Sequence, residues 1–239
     1  MGTVTIVRHG QAAFMTEDYD RLSPLGEEQS LALGRYWAWH GRTFTHAFTG
    51  PRKRHRETSR HAGNAAADND HPLPPVQEAP GFDEYDWEAL FTLATSEACA
   101  AMPLLAPLRQ AYLDAETYAD KRRAIHYLMV AVTERWAAGE LSGSAAGSFA
   151  AFQARVQENL RAIIAAAGKG GRVVIFTSGG PAAICTGYAL DLSPRKTVDL
   201  LWTLRNAGTV ELLYSGEQLS LSAFNSAPHL ETAELWTYR

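Results

Sequence analysis

The sequence has few of the features that mark specialised classes of protein. Only two of its 239 residues are cysteine, Cys99 and Cys185, and their spacing matches neither a disulfide framework nor a metal-binding motif. The N-terminus lacks the basic stretch and cleavage site of a secretory signal, and no apolar run reaches the roughly 18 residues that a membrane span needs. A net charge of −4 gives no overall attraction to nucleic acid or to an anionic membrane. We therefore expect a protein of the reducing cytoplasm that binds neither.

What the chain does have is the composition of an ordinary globular protein, with 46% hydrophobic and 20% charged residues. Short β-branched segments at 3–7 and 172–176 predict buried strands of a parallel sheet. The length suits one large core. We therefore expect a single α/β domain over residues 1–239, a three-layer sandwich whose mostly parallel central sheet is flanked by helices.

Caps, periodicity and turn residues predict the remaining elements. Ser23 and Pro24 begin the first helix, as an N-cap and a first-turn proline. Residues 68–80 are rich in Pro, Asp and Asn and predict a loop, whereas the Ala- and Leu-rich stretch at about 88–145 predicts a helical insertion or cap. Further strands are predicted at 43–49, 208–214 and 218–224, and further helices at 52–67, at 148–167 and from 181 to about 190.

The first polar cluster is Arg8-His9-Gly10, directly after the strand at 3–7. Ligands bind at this edge of open α/β sheets. A histidine held through one ring nitrogen can attack phosphorus with the other, and an adjacent arginine offers fixed donors for phosphate oxygens. The glycine would let the backbone approach a ligand closely. The triplet is short, so an exposed loop is an equally good interpretation of it alone.

The second cluster is the basic run at 51–58, at the start of a predicted helix. Free N–H groups and the helix dipole favour anions at such a position, so one arginine here could complete a phosphate pocket. For four basic residues in and just after this run, the favoured interpretation is a solvated helix face: Arg52, Lys53, Arg56 and Arg60.

The third cluster, at 177–181, follows the strand at 172–176. Its Ser178 hydroxyl and the backbone of Gly179 and Gly180 make a candidate anion cradle, with a plain strand-to-helix turn as the alternative. Glu84 lies in a separate acidic-aromatic stretch, where apolar neighbours can raise the pKa of a carboxyl group and make it a general acid. Three other carboxylates compete for that role: Asp83, Asp86 and Glu88.

Together these clusters resemble the histidine phosphatase superfamily, also called phosphoglycerate mutase-like. The opening R-H-G signature corresponds to Arg8-His9-Gly10, and the L-[ST]-P-L-G-x-x-Q segment to residues 22–29. The S-P-x-x-R-x-x-x-T segment corresponds to residues 50–58 and singles out Arg54. Residues 204–207 and 225–230 are similar to the family's closing elements. The resemblance covers essentially the whole chain outside the helical insertion.

The resemblance implies that His9 is phosphorylated, that Arg8 and Arg54 bind phosphate, and that Glu84 donates the proton, without a metal or cofactor. The chain departs from the family at Ser178, where active members usually have a second histidine. Serine keeps a donor but loses the cation, and losing such a donor costs on the order of 10²–10³-fold in rate. None of three other histidines is an obvious replacement: His55, His61 and His229.

The leading hypothesis is a metal-independent phosphomonoester hydrolase that acts through a phosphohistidine on a small phosphorylated substrate. The alternative is a weak or inactive domain that binds inorganic phosphate or a phosphoester, in which Ser178→His should raise activity. A mutase is less favoured because it must exclude water from the phosphohistidine, and a nucleic-acid binder less still because the chain is acidic. The sequence leaves the substrate and a homodimer open.

Overall fold

The computed structural model describes residues 1–13, 20–100, 102–141 and 145–238. A single six-stranded sheet lies at its centre. The strands are β1 (Gly2–Arg8), β2 (His46–Thr49), β3 (Val76–Glu78), β4 (Arg172–Thr177), β5 (Thr209–Ser215) and β6 (Gln218–Ser226). Their order is β3-β2-β4-β1-β5-β6. The first four of these are parallel, whereas β5 and β6 are antiparallel to their neighbours, so the predicted mostly parallel sheet is confirmed.

Helices cover both faces of this sheet. They are α1 (Pro24–Trp39), α2 (Lys53–Ala67), α3 (Trp87–Thr95), α4 (Glu97–Ala100), α5 (Ala106–Leu113), α6 (Tyr118–Ala137), α7 (Phe149–Ala167), α8 (Gly179–Ala189) and α9 (Pro194–Leu201). Short 3-10 turns occupy Pro80–Phe82 and Ala233–Leu235. In the part of the chain with described structure, no helix is both long and apolar enough to cross a membrane.

The two faces of the sheet have separate cores because successive strand residues point to opposite sides. On one face, Val7 and Phe176 pack with Leu33 and Trp37 beneath α1 and α2. On the other, alternate residues of β1 and β4 join the larger core formed with α6, α7 and α8. The result is the predicted three-layer sandwich.

Two elements differ from the sequence prediction. The predicted loop at 68–80 contains β3, a three-residue strand whose side chains are all exposed and whose only strand neighbour in the described sheet is β2. No hydrophobic pattern could reveal it. Helix α9 was not predicted, although Ser193 and Pro194 repeat the start signal of α1: the Ser193 hydroxyl accepts from the Lys196 amide at 3.4 Å.

The stretch predicted as an insertion contains α3 to α6. Helix α6 is its longest element and buries Leu128, Met129 and Val132 completely. Its Trp136 ring stacks on Phe152 of α7, with centroids 5.9 Å apart. The far end of the predicted insertion, at 142–144, lies outside the described residues. Helix α6 is thus fixed to the main core.

Candidate active site

The candidate site lies where β1 and β4 end side by side. These strands are parallel neighbours with Arg8 opposite Thr177, so His9 and Ser178 follow at the same level of the sheet. The His9 amide donates to the Thr177 carbonyl at 2.8 Å. Two of the three polar clusters singled out in the sequence therefore meet at one sheet edge.

His9 is oriented by its own loop. Its side chain is buried, with the residue 7% exposed, and Nδ1 lies 2.7 Å from the Gly10 carbonyl oxygen. A carbonyl only accepts hydrogen bonds, so Nδ1 carries the hydrogen and Nε2 carries the lone pair. Burial lowers the pKa of His9 well below its usual value, helped by the charges of Arg54 and Arg8 and by His55, while the Gly10 carbonyl opposes the shift. The ring is therefore neutral near pH 7, the form in which Nε2 is a nucleophile.

The backbone around His9 is held by residues that the sequence analysis left without a role. The His9 carbonyl accepts from the Ala207 amide at 3.1 Å and the Asn206 side chain at 3.3 Å. The Gly10 amide donates to Thr58 Oγ1 at 3.0 Å, and that hydroxyl donates to the Arg54 carbonyl at 2.7 Å. Both Thr58 and Asn206 lie within the quoted family segments, which was the signal available for them.

Gly10 has a different role from the one expected. A Cβ at this position would collide with the Gly26 carbonyl of α1. The absence of a side chain therefore lets the loop pack directly on α1, rather than opening space for a ligand. On the same helix, Gln29 is fully buried, and its Oε1 accepts from the Gln11 amide at 2.8 Å.

Arg54 stands apart from the other basic residues of its helix. It is 6% exposed, its Nη1 donates to Asp20 at 2.6 Å, and its Nη2 lies 3.4 Å from Ser178 Oγ. Arg8 donates through Nη1 to the Leu204 carbonyl. Both guanidinium groups border the same cavity as His9, so their charges converge there.

The neighbouring basic residues make other contacts. Arg56 and Arg60 are exposed: Arg56 pairs with Glu78 at 3.0 Å, and Arg60 lies 2.9 Å from the His61 ring nitrogen. Arg52 borders the cavity, but it pairs with Asp83 at 2.6 Å. The solvated-face interpretation therefore fits Arg56 and Arg60 better than it fits Arg52.

Glu84 lies against the start of α8. Its Oε2 accepts from the Gly180 amide at 3.1 Å and its Oε1 from the Tyr85 amide at 3.1 Å. A Cβ on Gly180 would collide with this carboxyl group. The Gly180 amide, expected in the anion cradle, is therefore used by Glu84. Burial raises the pKa of Glu84, although the Gly180 amide, Arg54, the Tyr85 amide and Arg8 all oppose the shift.

The three competing carboxyl groups have other surroundings. Asp83 pairs with Arg52. Asp86 caps α3 by accepting from the Ala89 amide at 2.9 Å, and Glu88 is exposed. Asp86 and Glu88 also border the cavity, but both are exposed, whereas Glu84 is the carboxyl group of this stretch whose pKa is raised by burial.

Ser178 is fully buried, and its hydroxyl contacts a histidine from another element. Ser178 Oγ lies 2.6 Å from Nε2 of His55, which is itself fully buried. The His55 ring centroid is 5.8 Å from that of His9. His55 was not an obvious replacement for the second histidine from the sequence, yet the structure places its ring against Ser178. Sequence spacing could not reveal this contact, because it depends on how α2 packs against the end of β4.

The other two candidate replacements for the second histidine, His61 and His229, lie elsewhere. His61 contacts Arg60 on α2. His229 is buried beside Tyr36, with ring centroids 6.2 Å apart, and burial lowers its pKa to about 4. Neither borders the cavity next to His9.

The cavity has a volume of about 1450 Å³. Arg8, His9, Arg54, Glu84 and Gly179 form part of its wall, whereas Ser178 lies behind it. Aromatic side chains from α3, α6, the end of α9 and the C-terminal segment also line the cavity: Trp87, Tyr118, Trp202, Trp236 and Tyr238. Within the described ranges, no three His, Cys, Asp or Glu side chains are grouped to hold a metal ion.

The C-terminal segment belongs to this wall. Gln29 donates to the Leu235 carbonyl at 2.8 Å, and Thr237 Oγ1 donates to Asn206 at 3.0 Å. The Arg205 guanidinium lies 4.7 Å from the Trp236 ring centroid. The segment therefore packs on its own domain and joins the backbone network around His9.

The structure thus defines a three-layer α/β protein that gathers two imidazoles, two guanidinium groups and a carboxyl group at one sheet edge. The family model described as Histidine phosphatase superfamily (branch 1) matches residues 4–131 and 113–227. The chain belongs to this family. A search among curated proteins found no match.

Solved structures share the fold at low sequence identity. Phosphoserine phosphatase from Entamoeba histolytica, solved with 3-phosphoglyceric acid, has a TM-score of 0.62 at 16% identity, covering 96% of this chain and 100% of its own. Phosphoglycerate mutase from Bacillus anthracis has a TM-score of 0.61 at 14% identity, covering 95% and 94%. Mycobacterial glucosyl-3-phosphoglycerate phosphatase, solved with VO3, has a TM-score of 0.61 at 18% identity, covering 95% and 100%.

Proposed function

We propose that the chain is a metal-independent phosphomonoester hydrolase that acts through a phosphohistidine at His9. The observation that carries the proposal is the His9 ring at the cavity wall, with Nδ1 bound to the Gly10 carbonyl and Nε2 left as the nucleophilic nitrogen. Arg8 and Arg54 border the same cavity and would hold the phosphoryl oxygens.

In the first step Nε2 of His9 attacks phosphorus, and the bond from phosphorus to the leaving oxygen breaks. Glu84 transfers its proton to that oxygen. The raised pKa of Glu84 supports this role, because the carboxyl group keeps its proton at a higher pH than an exposed one. In the second step water attacks phosphorus, its proton returns to Glu84, and the phosphorus–nitrogen bond breaks to release inorganic phosphate.

Two other functions remain as alternatives. A mutase must keep water from the phosphohistidine, whereas a cavity of about 1450 Å³ exceeds the roughly 300–1000 Å³ of ordinary small-molecule sites and leaves room for water. A binding domain without catalysis is favoured by Ser178, which does not replace the charge of a second histidine. Against it, the nucleophile and the acid both border the cavity with suitable surroundings.

The test is hydrolysis of an aryl phosphate between pH 5 and 8, with a chelator present, by the wild type and by His9→Ala. We expect wild-type turnover that falls by roughly 10⁴-fold or more in His9→Ala, because losing a nucleophile removes the covalent route. His61→Ala is the matched control, since His61 lies outside the cavity. A folded wild type that binds inorganic phosphate without turning over aryl or alkyl phosphates would overturn the hydrolase in favour of the binding domain.

A further inference from the structure

A continuous chain of contacts leads from Arg54, which borders the cavity, to two side chains behind its wall. Arg54 Nη2 lies 3.4 Å from Ser178 Oγ, and the same oxygen lies 2.6 Å from His55 Nε2. Ser178 and His55 are both fully buried. The Ser178 hydroxyl does not cap α8, at whose start it stands. Its contacts therefore lead from the start of α8 to the first turn of α2.

The hydrogen atoms of this chain follow from what each group can donate. A guanidinium group only donates, so Ser178 Oγ accepts from Arg54. The hydroxyl has a single hydrogen, and among the residues that the structure describes Oγ has no hydrogen-bond partner besides Arg54 and His55. If His55 also donated to Oγ, the buried hydroxyl hydrogen would have no acceptor, which is costly. Donation from Arg54 to Ser178 and from Ser178 to His55 satisfies the whole hydroxyl group and, within the described part of the chain, leaves only His55 Nδ1 of this pair without a partner, whereas the alternative leaves both Nδ1 and the hydroxyl hydrogen unsatisfied.

This arrangement fixes the tautomer of His55. Nε2 carries the lone pair that accepts from Ser178, so the ring hydrogen lies on Nδ1, which faces the backbone of Gly50. Burial lowers the pKa of His55 well below its usual value, and Arg54, Arg52 and Arg56 lower it further. His55 is therefore neutral near pH 7 and can accept.

We propose that His55 and Ser178 form a relay that positions the Arg54 guanidinium in the phosphate pocket, which rests on the function proposed above. Asp20 holds Nη1 and Ser178 holds Nη2, so the plane of the guanidinium group is set before phosphate arrives. Such preorganised donors bind a developing charge without rearranging first. His55 is then a positioning residue: it keeps the Ser178 lone pairs directed at Arg54 and contacts no substrate itself.

The relay is tested with Ser178→Ala, His55→Leu and the double variant, by calorimetric titration of inorganic phosphate and by the KM for an aryl phosphate. Each single substitution should weaken phosphate binding about tenfold, the lower end of what losing a hydrogen bond to a charged group costs. The double variant should lose no more than Ser178→Ala alone, because both changes break one chain. Ser178→Thr keeps the hydroxyl and should restore most of the affinity lost in Ser178→Ala.

Two controls separate the relay from a loss of folding. Thermal unfolding shows which variants remain folded, and His61→Leu makes the same exchange at a histidine of α2 outside the cavity. Losses that add in the double variant, or phosphate affinity unchanged in a folded Ser178→Ala, would overturn the relay. If the variants lose phosphate affinity as expected but the wild type hydrolyses no phosphoester, the relay is supported and the proposed hydrolase fails. If the wild type hydrolyses phosphoesters but the folded variants keep their phosphate affinity, the hydrolase is supported and the relay fails.

Discussion

An imidazole lies next to the end of both β1 and β4, but the two come from different elements. The two strands are parallel neighbours whose last residues lie opposite each other. After β1 the chain supplies an imidazole directly, as His9. After β4 it supplies Ser178, and the imidazole next to that serine comes from His55 on α2, 2.6 Å away. The comparison shows that an imidazole missing at one position of a motif can lie next to that position from another element, here behind the cavity wall.

The two strand ends also differ in the charged group that lies next to each of them. The β1 end gathers the positive charge of Arg8 beside His9, whereas the turn after β4 holds the Glu84 carboxyl group through the Gly180 amide. In the proposed reaction the nucleophile therefore belongs to one strand end and the proton donor rests on the other. Substitutions at the β4 end should reveal this division.

After His9→Ala, the largest effect is expected from Glu84→Gln, which removes the proposed proton donor. Hydrolysis of an alkyl phosphate, with a strongly basic leaving oxygen, should slow by about 10²–10⁴-fold. Hydrolysis of a nitrophenyl phosphate should slow much less, because its leaving oxygen needs little protonation. Steady-state kinetics with both substrates checks this, with Glu88→Gln as the exposed carboxyl control. Equal losses for both substrates would show that Glu84 does not protonate the leaving group.

An intermediate effect is expected from Ser178→His. The sequence alone suggested that this change restores the family's usual group, but His55 already lies against the serine. An added ring in this fully buried space should cost about 1–3 kcal/mol in the free energy of unfolding and leave turnover unimproved. Combining it with His55→Ala should recover much of the stability. Urea unfolding measures both, and a single variant as stable as the wild type would contradict the space-filling argument.

The smallest effect is expected in the pH dependence of stability. Burial lowers the pKa of His55 in the folded state, so the unfolded chain takes up its proton first as the pH falls below about 6.5. Stability should therefore fall on acidification from pH 7 to pH 5. The fall should be shallower in His55→Leu, because one of the two buried imidazoles at the site no longer titrates. Parallel slopes in urea unfolding at pH 5, 6 and 7 would contradict a neutral, buried His55.

The sequence predicted most of what local signals determine. The strands at 3–7 and 172–176 were evident from their apolar runs, and the structure brings His9, Arg8, Arg54 and Glu84 to one cavity as the motifs suggested. The sequence could not predict β3, because its exposed residues show no hydrophobic pattern and its strand partner in the described sheet is β2.

Close approaches between distant segments were equally hidden. Gly10 is required by the Gly26 carbonyl and Gly180 by the Glu84 carboxyl group, and nothing in the local sequence distinguishes these glycines from those of a ligand-binding loop. His55 stands in a run of basic residues that predicted a solvated face. Only the packing of α2 against the end of β4 shows that one member of this run is fully buried.

The strand order has a consequence for synthesis on the ribosome. Strand β1 is made first, but both of its neighbours, β4 and β5, lie between residues 172 and 215. At about 5–20 residues per second, the apolar first strand waits roughly 10–40 s for its partners. During that interval it is an unpaired strand with both edges free, the kind of segment that aggregates or recruits chaperones. His9, the proposed nucleophile, is thus made long before the strands that complete its pocket.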